Sequence, residues 1–189
     1  MTTPAKTAQA PTVPGLDGTG RRAELVAAAR HLLEIEGAGA LTIRRVAAAV
    51  GMRGSSVYKH VPDKAALQDA LTLAGLTEQA DALNGVPATF AALAEAYRAW
   101  ALGHPHLHRL INDHPLDRSR LPQGLEERAA APLVAACEGD RNMARAAWAT
   151  IKGLVDVEIA SRFPSGTDID AVYAAAARAY AGAGTGPIT

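Results

Sequence analysis

The chain has a single cysteine, Cys137, which excludes an intramolecular disulfide and any zinc site built on several thiolates. Such a lone thiol reads as a small apolar residue on a helix. A redox-sensing role is the alternative, and it requires exposure and cationic neighbours. Aromatics are also scarce, at 4% of residues, while 49% of the chain is hydrophobic. The apolar set is therefore mostly alanine and leucine, which suits closely packed helices better than a β-sandwich. No apolar run approaches the roughly 20 residues that span a bilayer. Residues 1–20 lack the apolar core of a secretory signal, so the expected location is the cytoplasm, with no membrane partner. No nucleophile, base and orienting group share a recognisable spacing, and no HExxH motif occurs. The expectation is a protein that is not an enzyme and has no cofactor.

Net charge is absent too, with 19 Lys+Arg against 19 Asp+Glu, but this balance conceals an asymmetry. Residues 1–64 carry nine basic against five acidic side chains, and residues 65–189 carry ten against fourteen. A polyanionic partner would meet the N-terminal end. That end contains LTIRRVAAAVGMRGSSVYKHVPDKAAL, Leu41 to Leu67, which reads as a helix-turn-helix. Thr42 is placed to cap a short helix whose Ile43, Val46, Ala47 and Val50 share one face. Gly51 allows the left-handed turn. A second helix begins near Arg53 or Gly54, with Val57 on its core side. Val61-Pro62 ends it, and Asp63 can cap a third helix starting at Lys64. The residues left outward are Arg44, Arg45, Arg53, Ser55, Ser56, Tyr58, Lys59, His60 and Lys64. Cations neutralise phosphates, hydroxyls bond phosphate or base edges, and a helix fits the major groove. The bland alternative is a solvated helical hairpin with ordinary surface charges.

From Arg22 to Leu76 the chain resembles the TetR family of transcriptional regulators. Leu41-Thr42-Ile43-Arg44, Gly51, Val57-Tyr58-Lys59-His60, Pro62-Asp63-Lys64 and Leu67 carry the likeness. The resemblance implies that Thr42, Tyr58, His60 and Lys64 hold phosphates. It also implies that Arg44, Lys59, Gly54 and Ser55 stand where base contacts are made. Arg53 occupies the position at which the family often caps the recognition helix with Ser or Thr. The C-terminal half resembles a subgroup of the family's ligand domains bearing a Trp-x3-His-Gly signature, here Trp148-Ala149-Thr150-Ile151-Lys152-Gly153 with Lys152 in place of the histidine.

Residues 1–20, rich in Pro and Gly, read as a disordered tail. Arg21-Arg22 at its end fits either a minor-groove arm or a solvated pair at a helix start. Leu25, Val26, Ala29, Leu32, Leu33 and Ile35 mark a first helix, Arg22 to Glu36, stopped by Gly37 and Gly39. A long helix follows, Lys64 to about Ala82. Thr89 to Leu102 carries Phe90, Leu93, Tyr97 and Trp100 on one face, either as core or as the wall of a ligand cavity. His104, His106, His108 and His114 cluster between Pro105 and Pro115. They read as imidazoles on a polar helix start rather than a metal site, although 104 and 108 share a face. Asp113 to Pro122 reads as a loop or broken helix. Three further helices are expected, from Gln123 to Glu138, from Asp140 to about Arg162 with Ala146 inward, and from Thr167 or Asp168 onward. Lys152 and Asp156 are spaced for an ion pair. The alanine-rich faces of the last two helices suit a four-helix bundle across a twofold axis, with monomeric packing as the alternative.

These readings give an all-α protein with an N-terminal three-helix helix-turn-helix DNA-binding domain and a C-terminal helical-bundle domain for ligand binding and dimerisation. The expected divisions are a tail over 1–20, the DNA-binding domain over 21–66, the ligand and dimerisation domain over 67–182, and a flexible C-terminus over 183–189. The expected ligand wall is Phe90, Tyr97, Trp100, Leu107, Ile111, Met143, Trp148, Ile151 and Lys152, the lysine favouring an anionic effector. The expected function is a ligand-responsive repressor that binds a palindromic double-stranded DNA operator as a homodimer and is released by a small-molecule effector. A transcriptional activator of the same fold, or a non-specific architectural DNA binder, is the alternative.

Overall fold

The computed structural model describes residues 20–113 and 115–181. The tail expected over 1–20, apart from Gly20, the C-terminus expected over 183–189, and His114 lie outside the described residues. Within the described residues the chain is all-helical, as its composition predicts, with nine α-helices and no strand. They are α1 (Arg21–Glu36), α2 (Ile43–Ala49), α3 (Gly54–Val57), α4 (Lys64–Asn84), α5 (Phe90–Gly103), α6 (Pro105–Asn112), α7 (Leu125–Ala136), α8 (Arg141–Ile159) and α9 (Ile169–Ala181).

Short polar side chains start most of these helices by accepting from free N–H groups of the first turn. Thr42 accepts from Arg45 N at 3.3 Å, Asp63 from Ala66 N at 2.7 Å and Thr89 from Ala92 N at 3.3 Å. Asp140 accepts from Asn142 N at 2.8 Å and Met143 N at 3.0 Å, and Asp168 from Ala171 N at 3.0 Å. Gly37, at φ 79°, stops α1 and donates to the Leu33 carbonyl at 2.8 Å.

Two hydrophobic cores lie along α4. The first gathers Leu25, Leu33, Leu41, Val46, Val57, Leu67 and Leu71, and is completed by Leu107, Leu110 and Ile111 of α6. The second gathers Leu83, Phe90, Leu93, Tyr97, Leu133, Ile151 and Val155 with Tyr173. Trp100 packs against both. The first core thus continues past residue 66 into α4 and depends on a helix that lies well beyond it in the chain. Gly75 permits that approach. A Cβ there would lie 2.5 Å from Ile111 Cδ1 and 2.7 Å from Leu107 Cδ2.

Several expectations are corrected. Ile35 is 63% exposed, because it stands two residues, about 200° of helix, beyond the inward Leu33. Ala146 is exposed, and Ala144, Ala147, Ile151 and Val155 form the buried stripe of α8. The same helix ends at Ile159 rather than near Arg162, because the chain reverses at Ser161, at φ 53°. Helix α7 spans Leu125–Ala136 and includes a buried Pro132. Proline has no N–H for the carbonyl four residues back, and that carbonyl, of Arg128, accepts instead from Asn84 Nδ2 at 3.0 Å. The end of α4 therefore supplies the hydrogen bond that α7 lacks.

The C-terminal helices are joined by polar contacts as well as apolar ones. The Arg98 guanidinium, on α5, donates twice to Glu158 of α8, at 2.8 and 2.7 Å, and once to Asp170 of α9 at 2.6 Å. It also lies 4.6 Å from the centre of the Tyr173 ring. Phe90 stacks on Tyr180 with ring centres 4.4 Å apart.

Candidate DNA-binding face and effector cavity

Helices α2 and α3 meet at a turn whose sharpness comes from Gly51, at φ 66°, and from Met52 N–H donating to the Ala47 carbonyl at 2.8 Å. Ala47 and Val57 are buried where the two helices face each other and the core. The α-helical part of α3 is one turn, Gly54–Val57. Ser56 N–H donates to the Arg53 carbonyl at 2.9 Å, and His60 and Val61 N–H groups donate to the Val57 carbonyl at 2.8 and 2.9 Å. The Arg53 side chain makes no capping hydrogen bond.

Thr42, Arg44, Arg53, Ser55, Tyr58, Lys59, His60 and Lys64 are all exposed, and Arg45, Gly54 and Ser56 are half-buried. Tyr58 is among the large hydrophobic side chains left most open, at 56% exposure. This arrangement brings the expected cations, hydroxyls and aromatic onto the α2–α3 unit and the start of α4. Arg45 differs from the others. Its guanidinium is held by both Glu36 carboxylate oxygens, at 2.8 and 2.5 Å. The pairing holds the Glu36 carboxyl below its ordinary range and raises Arg45 above its own. Glu36 closes α1, so its meeting with Arg45 depends on how α1 crosses α2.

The nine expected ligand residues do not gather into one cavity. Tyr97, Leu107 and Ile151 are fully buried core, because each sits where two or more helices converge. Ile111 packs over Gly75, and Phe90 lies against Tyr180 and Cys137 in a shallow groove. Trp100 donates to Glu78 at 3.3 Å, beside the Arg30–Glu78 pair that ties α1 to α4. Met143 is half-buried near the start of α8. Lys152 makes the expected ion pair with Asp156, at 2.5 Å, and is not among the residues that line the cavity between α4, α7 and α8.

This cavity, of about 350 Å³, opens between α4, the 116–121 segment, α7 and α8. Leu76, Gln79 and Leu83 of α4 line it, spaced three and four residues apart on one face, with Leu125 and Leu133 of α7 and Trp148 of α8. Trp148 is the one expected ligand residue among its walls. Gln79 is 4% exposed, and among the described residues its Nε2 has no hydrogen-bond partner. Sequence reasoning missed Gln79. The available signal was a carboxamide within the otherwise apolar stripe of α4.

Two histidines are used internally. His108 is 1% exposed, with Nε2 3.1 Å from the Tyr97 hydroxyl and 3.6 Å from Asp156 Oδ1, which corrects the reading of this cluster as surface imidazoles. Burial pushes its pKa down, against the opposing pull of Asp156. His104 Nδ1 lies 3.2 Å from Glu34 of α1. Cys137 is half-buried, and desolvation pushes its thiol pKa up.

A helix-turn-helix with an exposed cationic face, joined by one long helix to a cavity-bearing helical bundle, defines a transcriptional regulator of the helix-turn-helix class. Residues 25–71 match the model described as bacterial regulatory proteins, tetR family, and residues 90–180 match the tetracyclin repressor-like C-terminal domain. The chain belongs to the TetR family of transcriptional regulators, DNA-binding proteins that are not enzymes. It is 29% identical over 166 residues to the uncharacterized HTH-type transcriptional regulator Rv0681 of Mycobacterium tuberculosis, covering 80% of this chain and 76% of that one. Its fold is similar to that of the protein SCO4313 (TM-score 0.68, 27% identity, 85% and 95% covered). It is also similar to a substituted form of TetR from Acinetobacter baumannii AYE in complex with minocycline (TM-score 0.58, 26% identity, 84% and 93% covered).

Proposed function

We propose that the protein is a cytoplasmic, homodimeric and ligand-responsive repressor that binds a palindromic operator and releases it when a small molecule occupies the cavity between α4, α7 and α8. The observation that carries this reading is the continuity of α4. Its first residue, Lys64, stands on the cationic face, and Leu76, Gln79 and Leu83 line the cavity. A rigid helix of about 30 Å converts a shift at the cavity into a displacement of α3. A ligand that prefers one spacing of the two recognition helices lowers operator affinity by population shift. The minocycline complex of the Acinetobacter baumannii relative supports a small-molecule effector.

In this reading Arg44, Lys59, Gly54 and Ser55 approach base edges, and Thr42, Arg53, Ser56, Tyr58, His60 and Lys64 approach phosphates. Arg45 does so only after release from Glu36. Dimerisation uses the outward faces of α8 and α9, where Ala146, Ala149, Gly153, Ala171 and Ala175 are exposed. The division at 66/67 is one of the chain order, and the first core draws Leu67 and Leu71 of α4 and three residues of α6 across it. Kinship with the Trp-x3-His-Gly subgroup rests on Trp148 and Gly153 alone.

Selection of bound duplexes from a random DNA pool at near-physiological salt tests the reading. Enrichment of an inverted repeat supports a specific dimeric regulator. Binding without enrichment that vanishes as salt rises makes the protein a non-specific binder and overturns it.

A further inference from the structure

The cavity between α4, α7 and α8 has a chemical asymmetry that specifies its ligand. A buried amide N–H without an acceptor costs free energy in the empty protein. Gln79 Nε2 is such a donor, on a side chain almost wholly withdrawn from solvent that lines an otherwise apolar wall. Nε2 is withdrawn from the cavity surface in the empty protein, and a ligand that supplies a neutral oxygen as the carboxamide turns its N–H groups toward the cavity recovers the missing hydrogen bond. A carboxylate at the same depth would have to shed its water beside leucines with no cation to meet it, which disfavours an anion at the inner end.

The rim differs. Arg118, Arg141 and Arg145 border the cavity with one carboxylate, Glu126, and Arg118 takes that carboxylate at 2.8 Å. Among the described residues Arg145 donates to Asn142 Oδ1 at 2.8 Å, and neither Arg141 nor Arg145 has a carboxylate partner. Both stand on α8 ahead of Trp148, which lines the same cavity.

We propose that this cavity selects an apolar acid: a molecule with a hydrocarbon body, a neutral carbonyl at its inner end that accepts from Gln79 Nε2, and an anionic group at its outer end that meets Arg141 and Arg145. This rests on the reading of the cavity as the effector seat. The Trp148 ring and Leu76, Leu83 and Leu133 contact the body, and a volume of about 350 Å³ limits it to a small molecule. Gln79 selects between ligands of the same carbon skeleton and charge, because the oxygen that satisfies its amide is the feature by which they differ.

The test titrates the full chain, by calorimetry, with three probes: decanoate, the oxodecanoate whose methyl ketone lies at the far end from the carboxylate, and the corresponding decanone. The expected result is that oxodecanoate binds the wild type about tenfold more tightly than decanoate. Gln79→Met removes that preference and raises the melting temperature of the empty protein by eliminating the orphan donor. Gln79→Leu serves as a second apolar replacement of similar volume. Arg141→Ala with Arg145→Ala weakens both acids and leaves decanone unchanged. Equal binding of the two acids by wild type, a preference that persists in both Gln79 variants, or no binding of any probe overturns the inner-acceptor assignment. Acids unaffected by the double arginine change overturn the outer one. The same titration on protein bound to its selected duplex separates this inference from the regulatory reading. Probe binding with the expected preference but no DNA release supports the cavity chemistry and overturns ligand responsiveness, while DNA release without the preference does the reverse.

Discussion

At the scale of single residues, Arg44 and Arg45 are neighbours with different positions. Arg44 is exposed and makes no ion pair among the described residues, and Arg45 is held by Glu36. Arg44→Ala should cost about 1–3 kcal/mol on the selected operator and relax specificity at one base position. Lys64→Ala should weaken specific and random DNA alike and flatten the salt slope. Fluorescence anisotropy at several salt concentrations checks both, and equal losses on the two DNAs for Arg44→Ala would remove it from base recognition. His108 gives a prediction for stability. Burial holds its folded pKa below its ordinary value of about 6.5, so the unfolded chain binds the proton first as pH falls. Its contribution is present above about pH 6.5 and is lost as pH drops toward the depressed folded value. Urea denaturation should show stability falling through that window, and His108→Gln should flatten the curve there. An unchanged profile in the variant would assign the effect to other groups.

At the scale of elements, α4 and α7 are joined through a hydrogen bond that a helical wheel does not contain. Asn84 Nδ2 donates both to the Ala80 carbonyl in its own helix, at 2.7 Å, and to the Arg128 carbonyl left free by Pro132, at 3.0 Å. Asn84→Ala should cost about 0.5–1.5 kcal/mol, read from the urea midpoint. In a Pro132→Ala background, where an N–H is restored to the helix, the cost should shrink. An equal loss in both backgrounds would show that Asn84 acts only within α4. The starts of α2, α4, α5, α8 and α9 were legible in the sequence, because a Thr or Asp before an apolar run accepts from the first free N–H groups wherever the helix later packs, whereas α7, expected from Gln123, starts at Leu125 behind Gly124 with no side-chain cap. The ends were less so. Ile159 rather than Arg162 closes α8, since the reversal at Ser161 requires a positive φ that no residue type there announces.

At the scale of the whole molecule, the exposed small residues of α8 and α9 belong to the dimer reading. A Cβ at Gly153 would find nothing within 4 Å, so Gly153→Arg should leave the monomer folded and add helix propensity. Sedimentation velocity should show a dimer for the wild type and a monomer for this variant. Operator affinity should fall with the loss of the second recognition helix. A variant that remains dimeric would place the interface elsewhere.

The helix-turn-helix was readable because its determinants are local: a hydroxyl cap at Thr42, a positive-φ glycine at position 51, a proline stop at 62 and a carboxylate cap at Asp63 all act within a few residues. Outward cations follow from the same periodicity that places Val46 and Val57 inward. The cavity was not readable in this way. Its walls come from α4, α7 and α8, far apart in the chain, and a helical period shows that a face is apolar without showing whether a neighbour fills it. Tyr97 and Ile151 fulfil the pattern of a ligand wall and are closed over by other helices, while Gln79 interrupts a pattern and lies beside open space. By itself the sequence determined the helices, their caps and the exposed DNA-facing side chains, because hydrogen bonding and periodicity there are local. Only the tertiary structure decided which buried faces meet and which stay apart, because that depends on the close approach of α6 at Gly75 and on how α7 packs on α4 and α8 on α7.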